Sequence, residues 1–493
     1  MKKIKIKMFG RLCVLLTMML LVNCNELTDN LSTDPVNVTD PSVIATSKYM
    51  SGVEVSVIGS YEGDIARLAG MWCGYFSGED RQYAGIGNYV VSGQDFNVLW
   101  ANIYTSVFAN TKLLKQNAKR SNNFVSEGIA QAIEGMNIGL AADLWGDVPF
   151  TGITSYPSNA TPSFDSQANV YASAQVLLDS AISNLDKSGN ADGDFLMDGD
   201  TDAWIAVAHT IKARLYLHTR NYPKAIEEAS SGIGSTAGNM MATHGEAYLQ
   251  NFNMYYSFMT YDRSSYLGAN SFAPALLDNT TAISRNNSKT DETARLNYYY
   301  YPGGGLNFSE ISYEPNVQCA FDDWDNPEDQ DGFFGGKTSF PIVTFEENQL
   351  ILAEAYAKNN DVDNALASLN LLRAYYATGA HVNSGYLSLG YNYEAYTSSD
   401  FEPGGIENGD NIAMDKALLR EILEERYVTL IGQIEGYNDM RRTGNLLNIP
   451  LPAGKTDFPK RGLYAQNEVN TNPNVPTNSV GLYDPVTAFS TPY

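Results

Sequence analysis

Basic residues are scarce in this chain of 493 residues: 32 Lys and Arg stand against 56 Asp and Glu, a formal net charge of −24. Such a surface repels nucleic acid and other polyanions and favours neutral or cationic partners. Cysteine is scarcer still. Cys13 and Cys24 lie near the N-terminus and Cys73 and Cys319 beyond it, too few and too scattered for a disulfide framework or a metal site. Cys73 and Cys319 are read as buried thiols. Histidine is limited to His209, His218, His244 and His381, and the first two fall off a common face of one expected helix. No HExxH, GxSxG or P-loop pattern is present. Carboxylates abound, but abundance without a constellation makes no glycosidase pair. These absences point to a binding protein, not an enzyme.

Long apolar runs are missing too, save one. MKKIKIKMFGRLCVLLTMMLLVN (1–23) places Lys2, Lys3, Lys5, Lys7 and Arg11 before an apolar stretch that runs to Val22. That is the form of a secretory signal, and it is shorter than the about 20 apolar residues of a membrane span. It ends at Leu21-Val22-Asn23-Cys24, which is similar to the lipobox of bacterial lipoproteins, although that pattern prefers Gly, Ala or Ser where Asn23 stands. The expectation is cleavage before Cys24, lipidation of Cys24, and a chain anchored to a membrane and not threaded through it. The leader holds no acid, so the remainder carries a formal charge of −29.

What is present is helical periodicity. AWIAVAHTIKARLYLHTRNYPKAIEEASSGI (203–233) sets Ala213, Tyr216 and Ala225 at the offsets that Ala353, Tyr356 and Ala365 take in ENQLILAEAYAKNNDVDNALASLNLLRAYYA (347–377). In each, an amphipathic helix ends at a polar turn, RNYP or KNND, and a second helix follows. Small residues let paired helices approach and the tyrosine fills the gap beside them, as in tetratricopeptide repeats. Segments 97–117, 126–145, 166–187 and 415–431 carry the same period, so about four helix pairs are expected. Residues 236–345 and 378–412 are instead rich in Tyr, Asn, Ser, Gly and Asp. Connections that long are uncommon unless functional or disordered, and their aromatics argue for order. The fold class is read as mainly α: tetratricopeptide-like pairs against an irregular, loop-rich half with minor β. No linker-like run divides the chain, so one domain is expected over 24–493, with repeat helices in 97–235 and 345–445 and insertions at 236–345 and 378–412.

Short motifs add a resemblance. Leu31-Ser32-Thr33-Asp34-Pro35 follows the cysteine, and ADLWGDVPF (142–150) follows later, with Trp145 where a tyrosine is usual. Asp198-Gly199-Asp200 precedes Trp204 and Lys212-Ala213-Arg214-Leu215, and Ala353-Glu354-Ala355 precedes Ala365, Leu369-Asn370 and Arg373. Glu424-Glu425-Arg426, Glu435-Gly436 and DMRRTG (439–444) come next, then KRGLYAQNEVNTNPNVP (460–476), with Ala465 in place of a proline. In this order, these motifs resemble the SusD/RagB family of Bacteroidetes outer-membrane lipoproteins, over nearly the whole chain after residue 24. The resemblance implies four tetratricopeptide helix pairs against a loop-rich half, a surface-facing outer-membrane anchor, and a lid role over a SusC-type TonB-dependent transporter. It implies capture of an oligosaccharide or, as in RagB-like members, of a peptide. Glu26 and Asp29 fit loosely the acidic export signal of such lipoproteins. Glu424, Glu425, Glu435, Asp439, Arg441 and Arg442 are read as a structural ion-pair network.

Sugar capture needs flat apolar faces and polar rims, which Tyr and Trp supply. Aromatics, amides and charges mix outside the repeat helices at two places. One is MWCGYFSGEDRQYAGIGNY (71–89), with Trp72, Tyr75, Arg81 and Tyr83; the other is 298–334, with Tyr299, Tyr301, Phe308, Tyr313, Trp324, Phe333 and Phe334. The resemblance implies a ligand site drawn from the corresponding early and central regions. Trp324, flanked by Asp322, Asp323 and Asp325, is the foremost candidate. Trp100 and Trp145 are assigned to the core. In NYYYYPGGG (297–305) an extended backbone would send Tyr298 and Tyr300 to one side, Tyr299 and Tyr301 to the other. No cofactor is expected apart from a structural calcium, for which two acidic loops are candidates: Asp192, Asp194, Asp198, Asp200 and Asp202, and DDWDNPEDQDG (322–332). Neither matches an EF-hand: counted from Asp198, Ala203 stands where glycine is needed and His209 where glutamate is.

Overall fold

Helices supply the frame. The computed structural model describes residues 44–155, 160–245, 247, 250–303, 312–318, 331–476, 480–491 and 493. The leader, Cys24, Cys319 and Trp324 lie outside them. In chain order the framing helices are α1 (Thr46–Tyr61), α2 (Asp64–Trp72), α3 (Ala109–Ser121), α4 (Phe124–Trp145), α5 (Gln167–Leu185) and α6 (Thr201–His218). They continue as α7 (Tyr222–Ala229), α8 (Thr293–Tyr299), α9 (Phe345–Lys358), α10 (Val362–Tyr376), α11 (Met414–Thr429) and α12 (Glu435–Thr443). Among the described residues four pairs, α1–α3, α4–α5, α6–α7 and α9–α10, pack side by side in that order, and α11 packs on α9. Residues Thr46–Tyr493 form one compact unit.

The repeated Ala–Tyr–Ala spacing works as its chemistry requires. Ala213 and Ala225 are fully buried in one apolar cluster with Ile351 and Ala355, and Tyr216 packs against its edge. Ala353 and Ala365 are buried in a second, with Leu369, Phe401 and Leu418, and Tyr356 takes the matching place. The polar turns also match. Arg220 and Asn360 both adopt φ of 60°, and the next residues, Asn221 and Asp361, cap the second helices by accepting from Lys224 N (3.4 Å) and Asn364 N (3.2 Å). Such caps stabilise a helix by about 1 kcal/mol each. On α4, Gly135 leaves room for Leu178 of α5, which would stand 2.8 Å from any Cβ there.

Strand is minor. Among the described residues, four antiparallel two-stranded ribbons pair β1 (Ser77–Gly78) with β3 (Leu267–Gly268), β2 (Met240–Ala242) with β7 (Phe340–Val343), β4 (Thr290–Asp291) with β8 (Asn392–Tyr393), and β5 (Tyr300–Gly303) with β6 (Ser312–Pro315). The tyrosine run does not alternate as expected. Tyr298 and Tyr299 end α8 and Tyr300 opens β5, so Tyr299 and Tyr300 are buried as neighbours, with Tyr298 and Tyr301 half-buried on either side.

Charges hold the frame together from inside. Arg285 meets Glu292, Glu421 and Glu425; Arg442 meets Glu354 and Asp439; and Arg426 Nε lies 3.0 Å from Asp439. Burial alone would raise the Glu425 carboxyl, but Arg285 and Arg295 hold it well below the usual carboxylate range. Removing one partner of such a buried pair costs about 3–5 kcal/mol. Arg441 departs from the expected network: it donates to the carbonyl oxygens of Asp143 (2.7 Å) and Lys460 (3.2 Å). Between α4, α6 and α12, buried His218 donates to Asp143 at 2.9 Å and Glu435 at 3.1 Å.

The first acidic loop is spent on backbone. The Asp194 carboxylate accepts from the N–H groups of Leu196, Met197 and Gly199 and from the Trp204 indole, all within 3.2 Å. Asp200 caps α6 by accepting from Ala203 N at 3.0 Å. The same loop donates from Phe195 and Leu196 to Glu54 of α1. Asp192, Asp198 and Asp202 face solvent. Of the second acidic stretch only Asp331 and Gly332 are described.

Candidate functional site

The early aromatic stretch is core, which corrects its reading as a set of ligand faces. Trp72 is buried at the end of α2; its indole N–H donates to the Ile86 carbonyl (3.0 Å) and its ring meets Tyr437 edge-on at 5.4 Å. Tyr75 is buried and donates to the Tyr427 carbonyl at 2.8 Å. Tyr83 is buried, stacks on Phe258 at 5.0 Å and accepts from Arg67 Nε. The physical reason is common to all three: each ring finds an apolar partner and each polar tip a buried acceptor or donor, so nothing is left for a ligand. Arg81 alone of that group is exposed, 3.8 Å from Asp80. Trp100 and Trp145 are buried edge to face, 4.9 Å apart. The Cys73 thiol is free and buried, as read from sequence.

The tyrosine run leads elsewhere. A pocket of about 210 Å³ opens where the loop-rich half meets the helical frame. From α8 come Tyr298, Tyr299 and Arg295; from the start of α9, Glu346; from the end of α10, Tyr375 and Tyr376. Thr429 and Gln433, at and just after the end of α11, form the buried floor, while exposed Ala380 and half-buried Asn239 and Ser339 stand at the rim. Phe333 supplies one wall, its ring 4.5 Å from Tyr299 and 5.7 Å from Tyr298. Tyr301 lies past the pocket on β5, half-buried. Among the candidates read from sequence, Tyr299 and Phe333 are therefore the two that line this pocket; Arg81 is not among its lining residues and Trp324 lies outside the described residues.

Electrostatics at the pocket are settled by internal pairing. The Arg295 guanidinium reaches Glu425 at 2.9 Å, donates to Thr429 Oγ1 at 2.9 Å and lies 4.8 Å from the Tyr376 ring. Its charge is thus spent within the protein. Glu346 accepts from Asn239 Nδ2 at 3.1 Å. Burial pushes the Tyr299 hydroxyl up to about 12, against the opposing pull of Arg295. His381, between Tyr376 at 4.7 Å and Tyr393 at 5.0 Å, is pushed down to about 3 by burial and then by Arg295, so its imidazole is neutral. Sequence reasoning passed over His381, Tyr375, Tyr376 and Gln433. The last three sit at or near helix ends and read as helix or its continuation, and a lone histidine in a loop carries no spacing signal.

A mainly helical frame with a loop-rich half and an aromatic pocket at their junction defines a ligand-binding scaffold of the SusD type. The chain belongs to the SusD-like family described as starch-binding and associating with the outer membrane, whose model matches residues 39–450. That family is one of binding proteins, not enzymes. Among curated proteins no sequence matches the chain. Solved structures share its fold. A SusD/RagB family protein from Bacteroides thetaiotaomicron is 21% identical, with 87% of this chain and 95% of that one covered and a TM-score of 0.62. A SusD homolog from Bacteroides uniformis is 18% identical, with 90% and 99% covered and a TM-score of 0.65. A chitin-binding SusD homolog from Flavobacterium johnsoniae is 13% identical, with 84% and 89% covered and a TM-score of 0.57. No helix of the described residues is long and apolar enough to cross a membrane.

Proposed function

We propose that this protein captures oligosaccharide at the outer face of the outer membrane, anchored there through Cys24, and delivers it to a SusC-type TonB-dependent transporter. Membership of a family described as starch-binding and associating with the outer membrane supports the reading, and the chitin-binding neighbour is consistent with it. The observation that carries it to this chain is the pocket, where aromatic rings and polar side chains converge between the loop-rich half and the helical frame. Such mixtures of apolar walls and a few convergent polar groups are what small-molecule sites require. The strongly acidic surface accords with a neutral ligand.

Affinity electrophoresis of the mature protein through gels holding neutral polysaccharides, starch and soluble chitin included, is the direct test. Retardation by at least one is expected. No retardation by any, together with binding to peptides in a parallel titration, would replace the reading with peptide capture. Transporter coupling is tested separately, by co-purification from membranes with the lipidated protein and with Cys24→Ala; loss of the TonB-dependent partner only in the variant is expected.

A further inference from the structure

The pocket holds polar groups that the protein itself leaves idle. Both ring nitrogens of His381 are buried and neither makes a hydrogen bond, although the Tyr376 backbone lies close to the ring. Gln433 and Tyr298 line the same pocket and add an amide and a phenol to it. Buried polar atoms are normally satisfied, and exceptions call for an explanation. A neutral imidazole offers one donor and one acceptor, an amide offers both, and a phenol offers both. That mixture fits groups which themselves both donate and accept, as sugar hydroxyls do. It suits neither a carboxylate, which only accepts, nor an ammonium, which only donates.

Charge points the same way. One arginine and one glutamate line the pocket: Arg295 is paired with Glu425, and Glu346 stands at the start of α9. An acidic sugar ring would enter beside that carboxylate, with no unpaired Lys or Arg among the described residues that line the pocket to receive it. Size adds a limit. About 210 Å³ falls below the about 300–1,000 Å³ of drug-sized sites, so the space suits one ring and not a stretch of chain. The floor at Thr429 and Gln433 is buried and the rim at Ala380 is exposed, which suits entry by an end.

Resting on the glycan reading, the geometry points to a subsite that receives the terminal, uncharged ring of an oligosaccharide end-on, with His381, Gln433 and Tyr298 bonded to its hydroxyls and the aromatic walls against its carbon face. Chain ends, not chain interiors, are then what the protein recognises here.

The test uses the mature protein and a panel of neutral linear hexaoses (gluco-, chito-, manno- and xylo-configured) in calorimetric titration. For a hexaose that binds, H381A and Q433A, each first shown to melt as the wild type does, are expected to weaken binding at least 10-fold. The matching polymer is expected to saturate at one protein per chain, whatever its length. Unchanged affinity in both variants, or occupancy rising in proportion to polymer length, would overturn end recognition while leaving glycan capture intact. If H381A fails to melt as the wild type, H381Q and Q433A carry the same comparison. Absence of binding to every hexaose and to every polysaccharide would remove both readings together.

Discussion

The phenol of Tyr75 occupies the space that any side chain on Gly436 would need: a Cβ there would fall 2.0 Å from its oxygen. Tyr75 lies just past α2 and Gly436 in the first turn of α12, so the contact pins the early segment to the C-terminal motif helix. Gly436→Ala is expected to destabilise the fold by about 1–3 kcal/mol through overpacking, read as a lowered denaturant midpoint with an unchanged slope. A midpoint equal to that of the wild type would mean that the tyrosine moves freely.

A second prediction concerns pH. Burial would depress His218, but Asp143 and Glu435 outweigh it and hold the imidazolium up to about 9, against 6.5 for a free histidine. A raised folded-state pKa contributes stability that is complete below about 6.5 and is lost as pH rises through about 9. His218→Gln is expected to lose about 3–5 kcal/mol near pH 6 and much less near pH 9.5. Denaturation at the two values decides it; an equal loss at both would reject the ion pair as the cause.

Glu54 gives the opposite mutational sign. Burial first, and then Asp194, push its carboxyl up to about 10, so the folded state binds a proton that the unfolded state releases near 4.5. Stability from this group falls as pH rises from about 4.5 to 10. Glu54→Gln keeps an acceptor for Phe195 and Leu196 and carries no charge to bury. It is expected to stabilise the protein at pH 8 and to leave it unchanged at pH 4. Destabilisation at pH 8 would show that the carboxylate is needed ionised.

Trp72 and Arg81 separate core from surface. Trp72→Ala is expected to cost about 3–5 kcal/mol as a cavity mutation. Arg81→Ala, on a side chain that is 76% exposed, is expected to stay within about 0.5 kcal/mol. Thermal melts of both variants test the pair, and a stable Trp72→Ala protein would reopen the early stretch as a ligand face.

Much of the frame was legible because helix pairs are local. The spacing Ala213–Tyr216–Ala225 and its copy at 353–365 state a packing geometry that the chain then adopts within some thirty residues, and the RNYP and KNND turns mark where it reverses. The charged C-terminal motif was legible for a similar reason: arginines and carboxylates so dense on helices must pair or face water. The pocket was not legible. Asn239, Tyr298, Phe333, Tyr375 and Gln433 come from five separate segments, and only their tertiary meeting makes a site. Trp72, Tyr75 and Tyr83 misled for a related reason. A ring with a polar tip has the same composition whether it awaits a sugar or caps a buried carbonyl, and only the partner distinguishes the two.

The change from helix to strand between Tyr299 and Tyr300 sends two adjacent rings into different compartments, one to the pocket wall and the other to the core, where Tyr300 donates to the Tyr75 carbonyl at 3.1 Å. One residue added or deleted between them would trade wall for core. Length variation among relatives should therefore avoid 293–303, and a ligand preference can be altered there by exchanging side chains but not by editing the chain's length.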